Sequence, residues 1–279
     1  MLSLSCPICG ADSAPDTVFS PSLLLRCTGC DFAFLPGPQN GGLYDEEFFA
    51  NYDGEDYRAA ERARRFESRR RLDLLARHLP PPARLLEIGG AAGFFLDEAR
   101  RRGYDGSGVE LNEEMTAYAR EALGLDVRAG RVEEVDIGEQ AFDAACAFHV
   151  LEHVPAPAEA IRAIRAALRP GGMLLIEVPN AGSEVARRQG GDWRALKLPH
   201  HVGQFGPRSM AALLEGAGLE VTAMDSVPFA HYAAPGAFGF PVRGAMALRE
   251  VVRARGAVPP WRDGGRHQLL RAVARRPAT

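Results

Sequence analysis

Residues 84 to 93, Arg-Leu-Leu-Glu-Ile-Gly-Gly-Ala-Ala-Gly, run a short apolar strand straight into a turn of small residues, with Glu87 on the strand's last stretch. Few folds use such a join. Backbone with little or no side chain at Gly89, Gly90, Ala91 and Gly93 lets a ligand lie against the chain, and a helix predicted from Phe94 to Arg102 offers free N–H groups behind it. Taken alone, the turn also fits a tight strand-to-helix link. A second strand, Gly106-Ser107-Gly108-Val109-Glu110, ends seventeen residues after Gly93 in a carboxylate placed to accept hydrogen bonds from two ribose hydroxyls, and Leu111 follows it. The spacing is Glu-x-Gly-x-Ala-x-Gly, whereas a pyrophosphate needs backbone donors at Gly-x-Gly-x-x-Gly, so a nucleoside cofactor without phosphates is expected.

Downstream, strand and helix patterns alternate, which predicts a parallel sheet flanked by helices on both faces. Strands are expected near 84–88, 106–110, 125–129, 142–148, 172–178, 219–226 and 267–274. Asn112 with Glu113 and Glu114 reads as a helix cap and acidic first turn, and Ile161, Ile164 and Leu168 carry the spacing of a buried stripe. Arg169-Pro170-Gly171-Gly172 is its stop.

Three segments, 84–93, Phe142 to Val154 and Leu168 to Asn180, together with Glu110 closely resemble the class I S-adenosylmethionine-dependent methyltransferases, over about residues 84 to 225. The resemblance implies a Rossmann-like seven-stranded sheet whose last strand is inserted antiparallel, and S-adenosylmethionine as cofactor. It implies cofactor contacts from Glu87, Gly89, Gly90, Ala91, Gly93, Glu110, Leu111 and Phe148. One departure is that Ala91 stands where the family usually has a glycine; its methyl is tolerated if φ there is below zero.

Cys6-Pro7-Ile8-Cys9 and Cys27-Thr28-Gly29-Cys30 form two C-x2-C knuckles separated by 17 residues, the spacing of a zinc ribbon with four thiolates around one structural ion. A redox pair and chance spacing are the alternatives. Four cysteines would close the coordination sphere and stabilise a segment too small to hold a core unaided. Cys146, inside an apolar strand, is expected to be a small core residue.

At 279 residues and 46% hydrophobic content the chain can bury a full core, and its net charge of −3 shows no overall basic character of the kind nucleic-acid binding uses. No stretch approaches the length of a membrane span, and the first residues lack a basic segment followed by an apolar one; a soluble, cytoplasmic protein is expected. The expected organisation is a zinc ribbon over 1–42, a linker and lead-in helix over 43–82 and the main domain over 83–279, with an insertion at about 228–264. Aromatic residues from Tyr44 to Tyr57 fit either a lid or packing between ribbon and main domain. The insertion, with a helix near 242–255, fits either a substrate pocket or a homodimer contact.

The lead-in helix, about 58 to 79, places Leu72, Leu75 and Leu79 on one face and is stopped by Pro80-Pro81-Pro82. Its arginines read as a solvated face balanced by Glu61 and Glu67, or as an RNA contact. By similarity to related methyltransferases, Arg71 is the candidate to hold the methionine carboxylate of the cofactor.

Methyl transfer asks a site to align the acceptor with the methyl and exclude water, and an oxygen or carbon acceptor must also lose a proton. His149, directly after the fourth strand, is the first candidate base; hydrogen bonding to backbone or substrate is its other reading. Glu152-His153 is expected to open the next helix in a structural role. Pro199-His200-His201 resembles a stretch in bacterial methyltransferases that carry this type of ribbon, which makes His200 the second candidate. The expected reaction is methylation of a small molecule at a hydroxyl or acidic carbon of a sugar or secondary metabolite. Two rivals are a ribosomal RNA or protein methyltransferase that reads its substrate through the ribbon, and a fold that binds the cofactor without catalysis.

Overall fold

Alternation of buried side chains along each strand divides the molecule into two layers of packing, one on each face of a seven-stranded sheet. The computed structural model describes residues 5–37, 57–228, 265 and 267–278. Three short strands lie in the ribbon, β1 (Ser13–Pro15), β2 (Leu25–Cys27) and β3 (Ala33–Phe34). The main sheet comprises β4 (Arg84–Ile88), β5 (Asp105–Glu110), β6 (Asp126–Ala129), β7 (Phe142–Phe148), β8 (Leu168–Pro179), β10 (Glu220–Val227) and β11 (Leu269–Arg275); β9 (Gly203–Gln204) belongs with the ribbon. Its strand order is β10-β11-β8-β7-β4-β5-β6. The strands from β8 to β6 pair parallel, whereas β11 is antiparallel to both β8 and β10, as the resemblance implied.

Leu86 and Ile88 of β4 and Ala145 and Ala147 of β7 face one layer, where α4 (Pro157–Ala167) and α6 (Pro207–Gly216) bury Ile161, Ile164, Met210, Leu213 and Leu214 against them. Their neighbours Leu85, Ala144, Cys146 and Phe148 face the opposite layer with Leu72 and Leu75 of α1 (Glu61–His78) and Phe95 and Ala99 of α2 (Phe94–Arg101). Cys146 is indeed a buried core thiol. The cap read at Asn112 forms: its side chain accepts from the Met115 amide at 2.8 Å and starts α3 (Glu113–Glu121).

Two local expectations need correction. Arg169-Pro170-Gly171-Gly172 is already strand, because Leu168 pairs with Phe142 and the Gly171 amide bonds to the Arg276 carbonyl; the helix ends at Ala167. Glu152-His153 does not open a helix but lies in a single 3-10 turn, Leu151–His153, and α4 begins later with Pro157 in its first turn.

The ribbon is joined to the main domain through a sheet of its own, ordered β1-β2-β3-β9. β3 pairs antiparallel with Gly203–Gln204, which follow the histidine loop, and the Leu35 amide bonds to the Val202 carbonyl at 2.8 Å. Phe32 fills the join, its ring 4.7 Å from that of Phe205 and close enough to Gly203 that a Cβ there would approach it to 2.7 Å. The turn Gly190–Asp192 follows α5 (Glu184–Gln189) and lies under the backbone of Val18 to Ser20, with Phe19 stacked on Trp193 at 5.7 Å. The aromatic stretch before Tyr57 and the insertion after Pro228 lie outside the described residues, as does the helix expected near 242–255.

Candidate active site

Glu87 belongs to the face of β4 that also carries Leu85, so it sits with Phe148 of β7 and Glu177 of β8 under α1, at the carboxyl end of the sheet. Its side chain is buried, and Oε2 has no hydrogen-bond partner. Burial, opposed by Arg71 and reinforced by the Glu110 charge, pushes its carboxyl up from an ordinary 4.5 to about 8. A buried carboxyl oxygen left without a donor is costly.

The turn after β4 has φ of 69° at Gly89, 44° at Ala91 and 81° at Gly93. Ala91 is therefore not on the negative side where its methyl is tolerated without strain. A left-handed residue with a Cβ costs roughly 1–2 kcal/mol, and here the Ala91 amide is held by Glu110 Oε2 at 2.8 Å. The glycines answer first to the protein's own packing: a Cβ on Gly89 would lie 2.4 Å from Val150 Cγ2, and one on Gly93 would lie 2.6 Å from Leu125 Cδ1. Gly90 is the one that faces a site group, since a Cβ there would come within 2.9 Å of Glu87 Oε2.

Glu110 turns toward this bend. Its Oε2 accepts from Ala91 and its Oε1 from the Asn112 amide at 2.8 Å, and burial raises its pKa against those bonds. Two carboxylate oxygens offer about four acceptor positions, so a donor on each leaves room for two hydroxyls. Leu111 beside it is 38% exposed, unusual for a large apolar side chain among the described residues.

Arg71 reaches the carboxyl end of the sheet from α1, with its guanidinium carbon 4.4 Å from the centre of the Phe148 ring and its Nε donating to Glu177 Oε2 at 2.9 Å. Arg271 of β11 donates to the other oxygen of Glu177 at 2.8 Å. Sequence reasoning missed Glu177 and Arg271; the available signal was a carboxylate in the middle of the apolar run Met173 to Val178. Three further arginines of α1 face carboxylates: Arg65 meets Glu61, Asp97 and Glu98, Arg64 meets Glu67, and Arg69 meets Glu98.

His149 leaves β7 at φ 57°, its amide bonded to the Glu177 carbonyl at 2.8 Å. Its Nδ1 lies 3.2 Å from Glu152 Oε1, and its side chain is 26% exposed. His153 and His201 pack edge to face behind Glu152, ring centres 4.6 Å apart. His200, the second candidate, is half-buried and contributes its carbonyl, which accepts from His153 Nδ1 at 3.0 Å. The ring that joins the cluster from this loop is that of His201. Burial opposes ionisation of Glu152, but the His149 hydrogen bond and the neighbouring imidazoles hold it at about 2. Burial pushes His153 down and His201 down to about 3.

In the ribbon, Cys6, Cys9, Cys27 and Cys30 bring their sulfurs within 4.8 Å of one another. The pairs Cys6–Cys30 and Cys9–Cys27 are 3.7 and 3.4 Å apart. Sulfurs on a tetrahedral zinc at about 2.3 Å would be separated by about 3.8 Å. Amides of Ile8, Gly29 and Cys30 already point at the Cys6 and Cys27 sulfurs. The four-cysteine cluster is thus consistent with a zinc-binding module.

The profile of the methyltransferase domain family matches residues 58–224. The chain belongs to that family. A ubiquinone biosynthesis O-methyltransferase of Xanthomonas axonopodis is 33% identical to this methyltransferase over 165 residues, covering 54% of this chain and 69% of the relative. A solved S-adenosylmethionine-dependent methyltransferase of Archaeoglobus fulgidus superposes with a TM-score of 0.54 at 19% identity, covering 78% of this chain and 98% of its own. The [4+2]-cyclase SpnF superposes at 0.51 with 23% identity, covering 75% and 81%. These solved structures share the fold. The protein is an S-adenosylmethionine-dependent methyltransferase, and no helix among its described residues is long and apolar enough to cross a membrane.

Proposed function

We propose that this methyltransferase methylates a hydroxyl group of a small aromatic or secondary-metabolite acceptor, with His149 as the base. The observation that carries the reading is the carboxyl end of the sheet, where adjacent strands β7, β4 and β5 carry the His149–Glu152 pair, the unpartnered oxygen of Glu87 and the bend-facing carboxylate of Glu110. The name of the Xanthomonas relative supports an oxygen acceptor.

Bound S-adenosylmethionine would supply a methyl group on a sulfonium, already activated for transfer. Glu110 would take the ribose hydroxyls on its remaining acceptor positions, Leu111 would cover the base, and Glu87 would face the cationic end. Arg71, shared with Glu177, would hold the carboxylate. Glu152 accepts from His149 Nδ1, which leaves the lone pair on Nε2 to take the acceptor's hydroxyl proton. In the ribbon, Cys6, Cys9, Cys27 and Cys30 would hold a structural zinc ion.

The test begins with calorimetric titration of S-adenosylmethionine into the wild type and Glu110→Ala, followed by transfer of labelled methyl to a panel of hydroxylated aromatics and sugars, with ribosomal RNA as a separate arm. Saturable binding weakened by the substitution, label in a methyl ether and a rate lowered about 100-fold or more in His149→Ala are expected. Absence of binding, or label incorporated only into RNA, overturns the reading. Arg65 and Arg69 of α1 are already engaged by carboxylates, which makes the RNA outcome the less expected one.

A further inference from the structure

Behind His149 the fold assembles a second set of ligating side chains, far in sequence from the cysteines. Glu152 and His153 come from the 3-10 turn after β7, His201 comes from the loop before β9, and one ligand atom from each lies within 4.8 Å of the others. Glu152 and His201 are buried and His153 is half-buried.

Proximity is not the main observation. Glu152 Oε1 faces His149, but Oε2 is buried without a hydrogen-bond partner. An ion pair or hydrogen bond between Glu152 and either imidazole at that oxygen would have satisfied it. The imidazoles are instead turned by the backbone: His153 Nδ1 faces the His200 carbonyl at 3.0 Å, and His201 Nδ1 faces the Ala195 carbonyl at 2.7 Å. A carbonyl only accepts, so both Nδ1 atoms carry a proton, and the nitrogen of each ring left to bind a metal is Nε2. Carbonyl groups orient metal-bound imidazoles in this manner.

We propose that Glu152 Oε2 and the Nε2 atoms of His153 and His201 form a binding site for a divalent transition-metal ion of the zinc type. One carboxylate with two imidazoles suits zinc, cobalt or iron, whereas magnesium and calcium take oxygen ligands almost throughout. Three protein ligands leave a fourth position for water or an oxygen ligand, in contrast to the closed sphere of the four cysteines. The two sites differ in donor atoms, and that difference makes them separable. Metal occupancy here does not depend on the identity of the methyl acceptor.

The experiment is elemental analysis of the full chain grown with zinc, together with a titration of the purified protein with cobalt(II), for the wild type, His201→Ala, Glu152→Gln and His200→Ala. Cobalt on four thiolates gives an intense sulfur-to-metal charge-transfer band; cobalt on one oxygen and two nitrogens gives only weak visible bands. Two ions per chain are expected in the wild type and in His200→Ala, whose ring is outside the ligand set. In His201→Ala and Glu152→Gln the second equivalent should bind more than about 100-fold more weakly, a larger loss than removal of a supporting partner causes, while the charge-transfer band persists and shows that the ribbon is folded. Should His201→Ala lose that band, the isosteric Glu152→Gln decides. A wild type that takes up one ion only, or a second ion retained in the deciding variant, overturns the proposal.

Discussion

At Glu87, sign and direction can be worked out from the groups around it. Arg71 faces it from α1, Glu110 from β5 and the Cys146 thiol from β7, and burial outweighs the arginine to raise the carboxyl from 4.5 to about 8. A carboxyl raised on folding stabilises the protein below its unfolded value, and that contribution is lost as pH rises toward the folded value. Between about pH 6 and pH 7.5 the ligand-free protein should therefore lose about 2 kcal/mol through this one group, at 1.36 kcal/mol per unit. A cationic ligand reverses the trend, because it favours the ionised carboxylate; affinity for S-adenosylmethionine should rise over the same interval as stability falls. Thermal denaturation and calorimetric titration of the wild type and Glu87→Gln at both pH values check this. Equal slopes in the two proteins would remove Glu87 from the site. Its position was legible in the sequence because a strand ending in a glycine turn is a local pattern. The strain at Ala91 was not, since the φ of a residue is decided by what its amide bonds to, here a carboxylate from the next strand.

Elements were legible where the pattern that makes them is local. The strands and the lead-in helix fall within a few residues of their expected bounds because apolar alternation and proline stops are read over short windows. β8 begins earlier than expected because pairing with β7 and β11 overrides the turn signal of Pro170-Gly171-Gly172, and β9 was invisible because its partner in the ribbon lies about 170 residues away. Contacts between elements decide the ion triad too. Glu177 of β8 is fully buried between Arg71 of α1 and Arg271 of β11, each within 2.9 Å. Breaking a buried pair by removing one partner costs roughly 3–5 kcal/mol, largely because a charge is left behind. Arg271→Met should then lower the unfolding free energy by about 3 kcal/mol in urea, and adding Glu177→Met should recover part of the loss. A single variant within about 0.5 kcal/mol of the wild type would mean that the triad is hydrated and contributes little.

Across the whole molecule, the ribbon and the sheet share one interior. Cys6, Cys27, Cys30, Phe32 and Phe34 belong to the same buried cluster as Leu86, Ile88, Ile161, Leu174 and Ile176. A segment as short as the ribbon cannot hold a core by itself, and its last strand is completed by Gly203–Gln204, next to the loop that carries His201. The ribbon should consequently unfold with the sheet, in one calorimetric transition whose van't Hoff and calorimetric enthalpies agree. Phe32 is the sharpest probe, since its ring lies against Gly203 and Phe205 of the main domain. Phe32→Ala should cost at least about 3 kcal/mol and lower the single transition by roughly 6 to 12 °C. Hydrogen exchange at Val202 to Phe205 should quicken in the same variant. Two resolved transitions in the wild type, or a Phe32→Ala effect confined to the ribbon, would make the ribbon an independent unit and leave the histidine loop to be positioned by the sheet alone.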